Sequence, residues 1–345
     1  MSGPTSAAPA AAILGCAGPE LSANEARFFR EVDPLGFILF ARNCETPAQI
    51  RTLTSSLRAT VGREDAPILI DQEGGRVQRL KPPTWRAAPA AARFGALAHI
   101  DPEAAVEAAW LNARLIAAEL RDVGVDVDCL PCLDVPAPDG HDIIGDRAFD
   151  GDPNLVATLG RAVADGLMAG GVLPVAKHIP GHGRARADSH LELPVVDTPS
   201  AELEAIDFTP FRALADLPIG MTAHVVYSDI DPDAPATISP TVVQDVIRGS
   251  IGFDGLLMSD DLGMQALAGN YATRTSASLA AGCDVVLHCS GVMSEMEQVA
   301  AAVRPLDAAG RERAERAQAA LRPADDTDPG EALARVNELL AAIAV

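Results

Sequence analysis

The chain has 345 residues, 48% of them hydrophobic, and a formal net charge of −21. That apolar content supports a packed core and excludes a disordered chain, and the length suits one large α/β barrel or two smaller domains. The acidic balance lacks the clustered Lys and Arg that phosphate contacts need, so no nucleic-acid partner is expected.

Residues 1–19 carry no basic residue ahead of their apolar stretch, which makes a poor secretory signal; no membrane span is expected, and the expected location is the cytoplasm. Ile13-Leu14-Gly15-Cys16 faintly resembles a lipoprotein cleavage box and reads better as a first strand. Further short apolar runs follow, so that eight candidate strands cover residues 12–16, 36–40, 67–70, 125–133, 172–176, 219–222, 255–258 and 284–287. Their near-continuous apolar character fits parallel strands buried on both faces.

Amphipathic helices separate many of these runs. Four open on a capping residue followed by proline: Thr46-Pro47, Asp101-Pro102, Asp152-Pro153 and Ser239-Pro240. Behind Thr46, the residues Ile50, Leu53, Leu57 and Val61 share one helical face, and Leu155, Leu159, Val163 and Leu167 do the same behind Asp152. The tail from about residue 304 is Ala-, Arg- and Glu-rich and is expected to be helical, with an acidic surface loop over 323–330. The six cysteines are scattered through mostly apolar segments, as reduced thiols in a cytoplasm would be. Cys129 and Cys132 have the Cys-x-x-Cys spacing but no second pair follows, so they read as strand packing.

Strands alternating with helices imply a parallel sheet. Eight of them suggest a single-domain (β/α)8 barrel over 1–345, with a doubly wound open sheet as the alternative. No Gly-x-Gly-x-x-Gly follows the first strand, which weakens a dinucleotide-binding version.

A barrel places its active site at the C-terminal ends of its strands, so ionisable residues should crowd just after the apolar runs. They do. Asp71 to Arg79 follows the third run, Lys177 to Gly183 with Asp188-Ser-His190 follows the fifth, His224 the sixth, and Ser259-Asp260-Asp261 the seventh. In the loop 177–190, Gly181 and Gly183 permit unusual backbone angles or close approach. Asp188 and His190, two apart, can hydrogen-bond; a carboxylate on one imidazole nitrogen supports proton transfer by the other. A lone histidine here would more simply satisfy loop backbone. The same cluster also reads as a metal site of His178, His182, Asp188 and His190, opposed by the adjoining charge of Lys177. One carboxylate of the Asp260-Asp261 pair can serve as a glycoside nucleophile. Asp260 or Asp261 can also cap a helix starting at Leu262.

These motifs resemble glycoside hydrolase family 3, and most closely its bacterial β-N-acetylglucosaminidases of peptidoglycan recycling. The matching stretches run in family order over 36–43, 70–79, 145–149, 177–190, 221–224 and 252–261. Lys-His-x-Pro-Gly-His-Gly with Asp-Ser-His, and Ser-Asp-Asp-Leu, are the specific signatures. The resemblance implies Asp260 as nucleophile, His190 as acid/base with Asp188 as its partner, and Asp71, Arg79, Arg147, Lys177 and His178 as sugar ligands. It implies a small carbohydrate or muropeptide substrate, N-acetylglucosamine β-linked to a 1,6-anhydro-N-acetylmuramic acid that carries a peptide, with no cofactor or metal and a monomeric chain. β-Glucosidase, phosphorylase and non-catalytic sensor readings stay open. Ile179 stands where Phe is usual and Gly263 where Ser is common. Arg184 and Arg186 in the loop are expected to alter the preference for the leaving portion of the substrate.

Overall fold

The computed structural model describes residues 8–138 and 140–343. The first residues of the 1–19 segment therefore lie outside the described residues. Eight parallel strands close into a barrel: β1 (Ala10–Gly15), β2 (Pro34–Leu39), β3 (Ile68–Ile70), β4 (Val127–Asp128), β5 (Leu173–Ile179), β6 (Ile219–Thr222), β7 (Leu256–Asp261) and β8 (Val285–His288). Each neighbours the next in sequence, and β8 returns to β1 through the pairs Ala12↔Val286 and Leu14↔His288. This is a (β/α)8 barrel, and closure rules out the open sheet. Parallel strands buried on both faces explain the unbroken apolar runs: all six residues of β1 and of β2 are buried.

All four cap-and-proline signals start helices. Thr46 accepts from Gln49 N–H, Asp101 from Ala104 N–H, Asp152 from Asn154 N–H, and the Ser239 hydroxyl from Val242 N–H at 3.0 Å. The side-chain oxygens satisfy donors that the first turn leaves unpaired. The fourth helix runs over Val242–Ser250 with the wider π repeat. The tail forms helices Ala308–Ala320 and Pro329–Leu340, and Asp328 caps the second of these. All six cysteines are free, and the Cys129 and Cys132 side chains are buried in the strand region.

Three strands differ most from the apolar runs, and one of them is β7, which continues three residues past its run so that Asp260 and Asp261 lie within it. β5 continues three residues past its run, so Lys177 and His178 lie within the strand. The run over 125–133 keeps only a two-residue strand: Leu130 N–H turns back to Asp128 O at 2.7 Å, and Pro131 has no N–H to offer; beyond it, single bonds from Leu133 N–H to Lys177 O and from Lys177 N–H to Pro131 O carry the chain along β5.

Candidate active site

Seven of the eight expected site residues line one cavity of about 430 Å³ at the C-terminal ends of the strands: Asp71, Arg79, Arg147, Lys177, His178, His190 and Asp260. A larger cavity of about 510 Å³ opens at the opposite end, beneath helix Ala308–Ala320. Barrel chemistry belongs to the C-terminal end, where the ionisable groups converge.

One wall is a charge cluster. Lys177, 2% exposed, extends Nζ to Asp71 Oδ1 at 2.9 Å and to Glu73 Oε1 at 2.5 Å. Arg79 Nη2 donates to Asp71 Oδ2 at 3.0 Å, and Arg147 holds Glu73 with two bonds of 2.8 Å. Three cations thus serve two carboxylates. Burial alone would raise both acids, but the neighbouring Lys177 and arginines outweigh it: Asp71 lies well below the usual carboxylate range and Glu73 falls to about 2. Lys177 loses from burial and gains more from the two carboxylates, so it stays protonated. Arg79 also lies over the Phe40 ring, 4.9 Å from its centroid. Glu73 was not among the expected ligands. Its Gln-Glu-Gly-Gly setting offers no apolar contrast, and only its two cationic partners mark it.

Asp260 stands at the end of β7. Its Oδ1 accepts the Asp261 N–H at 2.7 Å. Burial raises its carboxyl, and the imidazoles of His178 and His224 with that N–H bring it below its ordinary value. Asp260 is therefore a carboxylate at neutral pH. Asp261 does not cap a helix: its Oδ1 accepts from Gly263 N–H at 2.9 Å and Cys289 N–H at 3.0 Å, pinning a turn. The next helix begins at Tyr271 with Asn270 as cap. His224, fully buried, donates from Nε2 to the Asp261 carbonyl at 3.0 Å and so braces the end of β7.

Beneath His178 lies Asp134, whose sequence setting gives no polar signal because Leu133 and Val135 enclose it in an apolar run. Its carboxylate is fully buried. It takes His178 Nδ1–H at 2.7 Å, the His178 N–H at 3.2 Å, the His182 N–H at 2.7 Å and the Cys132 thiol at 3.2 Å. Burial opposes ionisation here, yet His178, His182 and these donors hold Asp134 far below the usual range. His182 itself is buried away from the cavity. Its Nε2 meets Ser189 Oγ at 3.0 Å, and burial with the charge of His178 lowers it to about 4. It folds the loop, as a lone histidine would.

Asp188 stands behind His190. Its Oδ1 accepts the His190 N–H at 2.9 Å and Nδ1 at 2.8 Å. Burial would raise Asp188, but those two bonds lower it, so it remains a carboxylate. The His190 ring is 60% exposed, and among the described residues its other nitrogen has no hydrogen-bond partner. Gly181 adopts φ of 142°, and a Cβ on Gly183 would lie 1.9 Å from Val135 O. Both glycines of the motif are therefore required by backbone, one for its angle and one for contact.

The metal reading does not match this arrangement. Among the described residues, the one group of three or more ligand-type side chains within 4.8 Å is Cys132, Asp134 and His178. His182, Asp188 and His190 have no place in it, and the group is already tied internally by hydrogen bonds.

Residues 22–322 match the model of the glycosyl hydrolase family 3 N-terminal domain. A beta-hexosaminidase of Bordetella avium is 41% identical over 286 residues, 82% of this chain and 81% of that protein. One from Xylella fastidiosa is 42% identical over 283 residues, 80% and 82% of the respective chains. Among solved structures, native NagZ of Neisseria gonorrhoeae superimposes with a TM-score of 0.87 at 33% identity, covering 97% of this chain and 98% of its own. The same protein in complex with N-trifluoroacetyl-D-glucosamine gives 0.87 at 32%, covering 97% and 99%. The chain belongs to glycoside hydrolase family 3, among its β-N-acetylhexosaminidases. It is a glycosidase, and the sensor reading lapses. No helix among the described residues is long and apolar enough to cross a membrane.

Proposed function

We propose that this protein is a retaining β-N-acetylglucosaminidase. It removes the non-reducing terminal N-acetylglucosamine from peptidoglycan fragments, in which that sugar is linked to 1,6-anhydro-N-acetylmuramic acid with or without a peptide. It works in the cytoplasm as a single barrel, as a monomer and without metal or cofactor. The observation that carries this reading is the convergence on one cavity of an ionised carboxylate, Asp260, an exposed imidazole, His190, and the Asp71–Lys177–Arg79 cluster. The sugar selectivity follows the names of the hexosaminidase relatives.

The chemistry follows from the protonation states. Asp71, Arg79, Arg147, Lys177 and His178 hold the ring hydroxyls with charge-assisted bonds. Asp260 attacks the anomeric carbon, forming a carbon–oxygen bond to Oδ while the glycosidic bond breaks. His190 passes its proton to the departing oxygen, and Asp188 stabilises the cationic ring before transfer. His190 then takes a proton from water, whose oxygen displaces Asp260 from the sugar.

The test is trapping with a slow fluorinated N-acetylglucosaminyl donor, followed by peptide mapping. A label on Asp260, and near-complete loss of turnover in a folded Asp260→Asn variant, are the expected results. A label on Asp261 or Glu73 would refute the assignment. Running product analysis with and without phosphate separates hydrolysis from phosphorolysis.

A further inference from the structure

The loop that carries the dyad has a firmly held stem and a lightly held arm. In the stem, the Tyr227 hydroxyl donates to Gly181 O at 2.5 Å. Ala137 N–H donates to Gly183 O at 3.0 Å, and His141 N–H to Ala185 O at 2.7 Å. The arm bearing Ser189 and His190 is tied to the β7 side by Ala266 N–H to Ser189 O at 3.2 Å and Gln265 N–H to His190 O at 3.3 Å.

Arg184 sits in the stem, and it does not turn toward the cavity. Its Nε donates to Asp207 Oδ2 at 2.7 Å, and its Nη1 pairs with Glu202 Oε1 at 2.8 Å. Asp207 lies between helices Ser200–Ala205 and Thr209–Ala213, outside the barrel wall. Its side chain is 1% exposed, and its Oδ1 has no hydrogen-bond partner among the described residues. A buried carboxylate with one open oxygen is costly, and it is tolerated here because Arg184 answers it. Gly181 packs on the same residue, since a Cβ there would lie 3.1 Å from Asp207 Cβ. Two points of the stem therefore rest on Asp207, four and seven residues before Asp188 by sequence.

We propose that Arg184 is a positioning residue: by joining the loop stem to Asp207 and Glu202, it sets where the Asp188–His190 arm stands over Asp260. This inference rests on the reading of His190 as the acid. It also redirects the expectation that Arg184 touches the leaving portion of the substrate, since both ends of its guanidinium face the scaffold.

The test compares kcat/KM on N,N′-diacetylchitobiose, whose leaving group needs a proton, with that on a dinitrophenyl N-acetyl-β-glucosaminide, whose leaving group does not. Wild type, Arg184→Ala, Arg184→Lys, the double variant Arg184→Ala/Asp207→Asn, and His190→Ala are measured together. Arg184→Ala should lose tenfold or more on the disaccharide and under threefold on the dinitrophenyl substrate. Added guanidinium should return part of the loss. The double variant removes the orphaned charge, so it should melt near wild type and keep the selective defect. Equal losses on both substrates, or a double variant restored on the disaccharide, would overturn the proposal and leave Arg184 a stabiliser only. If His190→Ala fails to distinguish the substrates, the acid assignment falls. If His190→Ala distinguishes them and Arg184→Ala does not, only the positioning role falls.

Discussion

Asp134→Asn tests the buried carboxylate that holds His178. The substitution is isosteric. Asn Oδ1 can still accept the His178 and His182 backbone N–H groups, now held at 3.2 and 2.7 Å. The other position becomes an NH2 facing His178 Nδ1, where a 2.7 Å bond to a carboxylate stood. Two donors cannot share that space, so His178 must present Nδ1 as an acceptor, and its cationic form loses its support. A hydrogen bond to a charged group is worth about 1.5–3 kcal/mol. A loss of about 2 kcal/mol in transition-state binding corresponds to a roughly 30-fold fall in kcat/KM. Asp260 should respond as well, because His178 is the foremost charge lowering it. Its carboxyl rises when that cation is weakened, so the acidic limb of the kcat/KM profile should move to higher pH. The assay is kcat/KM for a nitrophenyl N-acetyl-β-glucosaminide from pH 4 to 8, with circular dichroism to verify the fold. A folded variant within twofold of wild type, with an unmoved acidic limb, would refute the link from Asp134 through His178 to the nucleophile.

Asp71→Ala should cut kcat/KM by about 2–4 kcal/mol in transition-state terms if Asp71 holds a sugar hydroxyl; an unchanged kcat/KM would make it merely the counter-ion of Lys177 and Arg79. Full activity should persist after exhaustive chelation, and loss with EDTA restored by zinc would revive a metal role for the His178 region. His182, lowered by burial to about 4 from 6.5, binds its proton more readily when the chain is unfolded. Its contribution is thus whole above pH 6.5 and is lost as pH falls toward 4, by about 2 kcal/mol at pH 5. Thermal melts at pH 7.5 and 5 should show this drop in wild type and a smaller one in His182→Gln.

Much of the barrel was legible because each parallel strand is buried on both faces and leaves an apolar run with a helix cap after it. The same rule set the strand ends wrongly at the site. In a barrel the last residues of a strand point into the mouth, so polarity rises while the ladder continues. Lys177 and His178 lie in β5, and Asp260 and Asp261 in β7, for this reason. Asp134 was hidden by the opposite effect, a single charge among apolar neighbours whose donors come from residues 178 and 182, over forty positions away. The hairpin of Gln72–Gly74 and Val77–Gln78 was also unforeseen. It is two short strands turned by Gly74 and Gly75, and it brings Glu73 to Lys177.

The charges in the cavity divide the work of catalysis by depth. At the floor, Asp71 and Glu73 are locked as anions by three cations, so neither can donate a proton near neutral pH. Asp260 is kept ionised by histidines and a backbone N–H, and among the described residues no lysine or arginine is bonded to it. For the nucleophile role proposed for Asp260, a cation bonded to it would stabilise the free carboxylate and oppose its loss of charge on bonding to the sugar. In the proposed mechanism the group that changes protonation twice per cycle is the one at the rim, His190, on a loop with its ring 60% exposed. Its neighbour His182 is buried and held low, and so is unsuited to carrying a proton near neutral pH. Exposure carries a geometric cost, because a proton donor on a loop is useful only when it stands over the scissile oxygen. The ion pairs under the stem answer that cost, with buried Asp207 held by Arg184. Catalytic power in this barrel should therefore be limited by the placement of His190 rather than by the ionisation of Asp260. Raising solvent viscosity or loop flexibility should alter disaccharide turnover while leaving the activated aryl substrate's kcat/KM nearly unchanged.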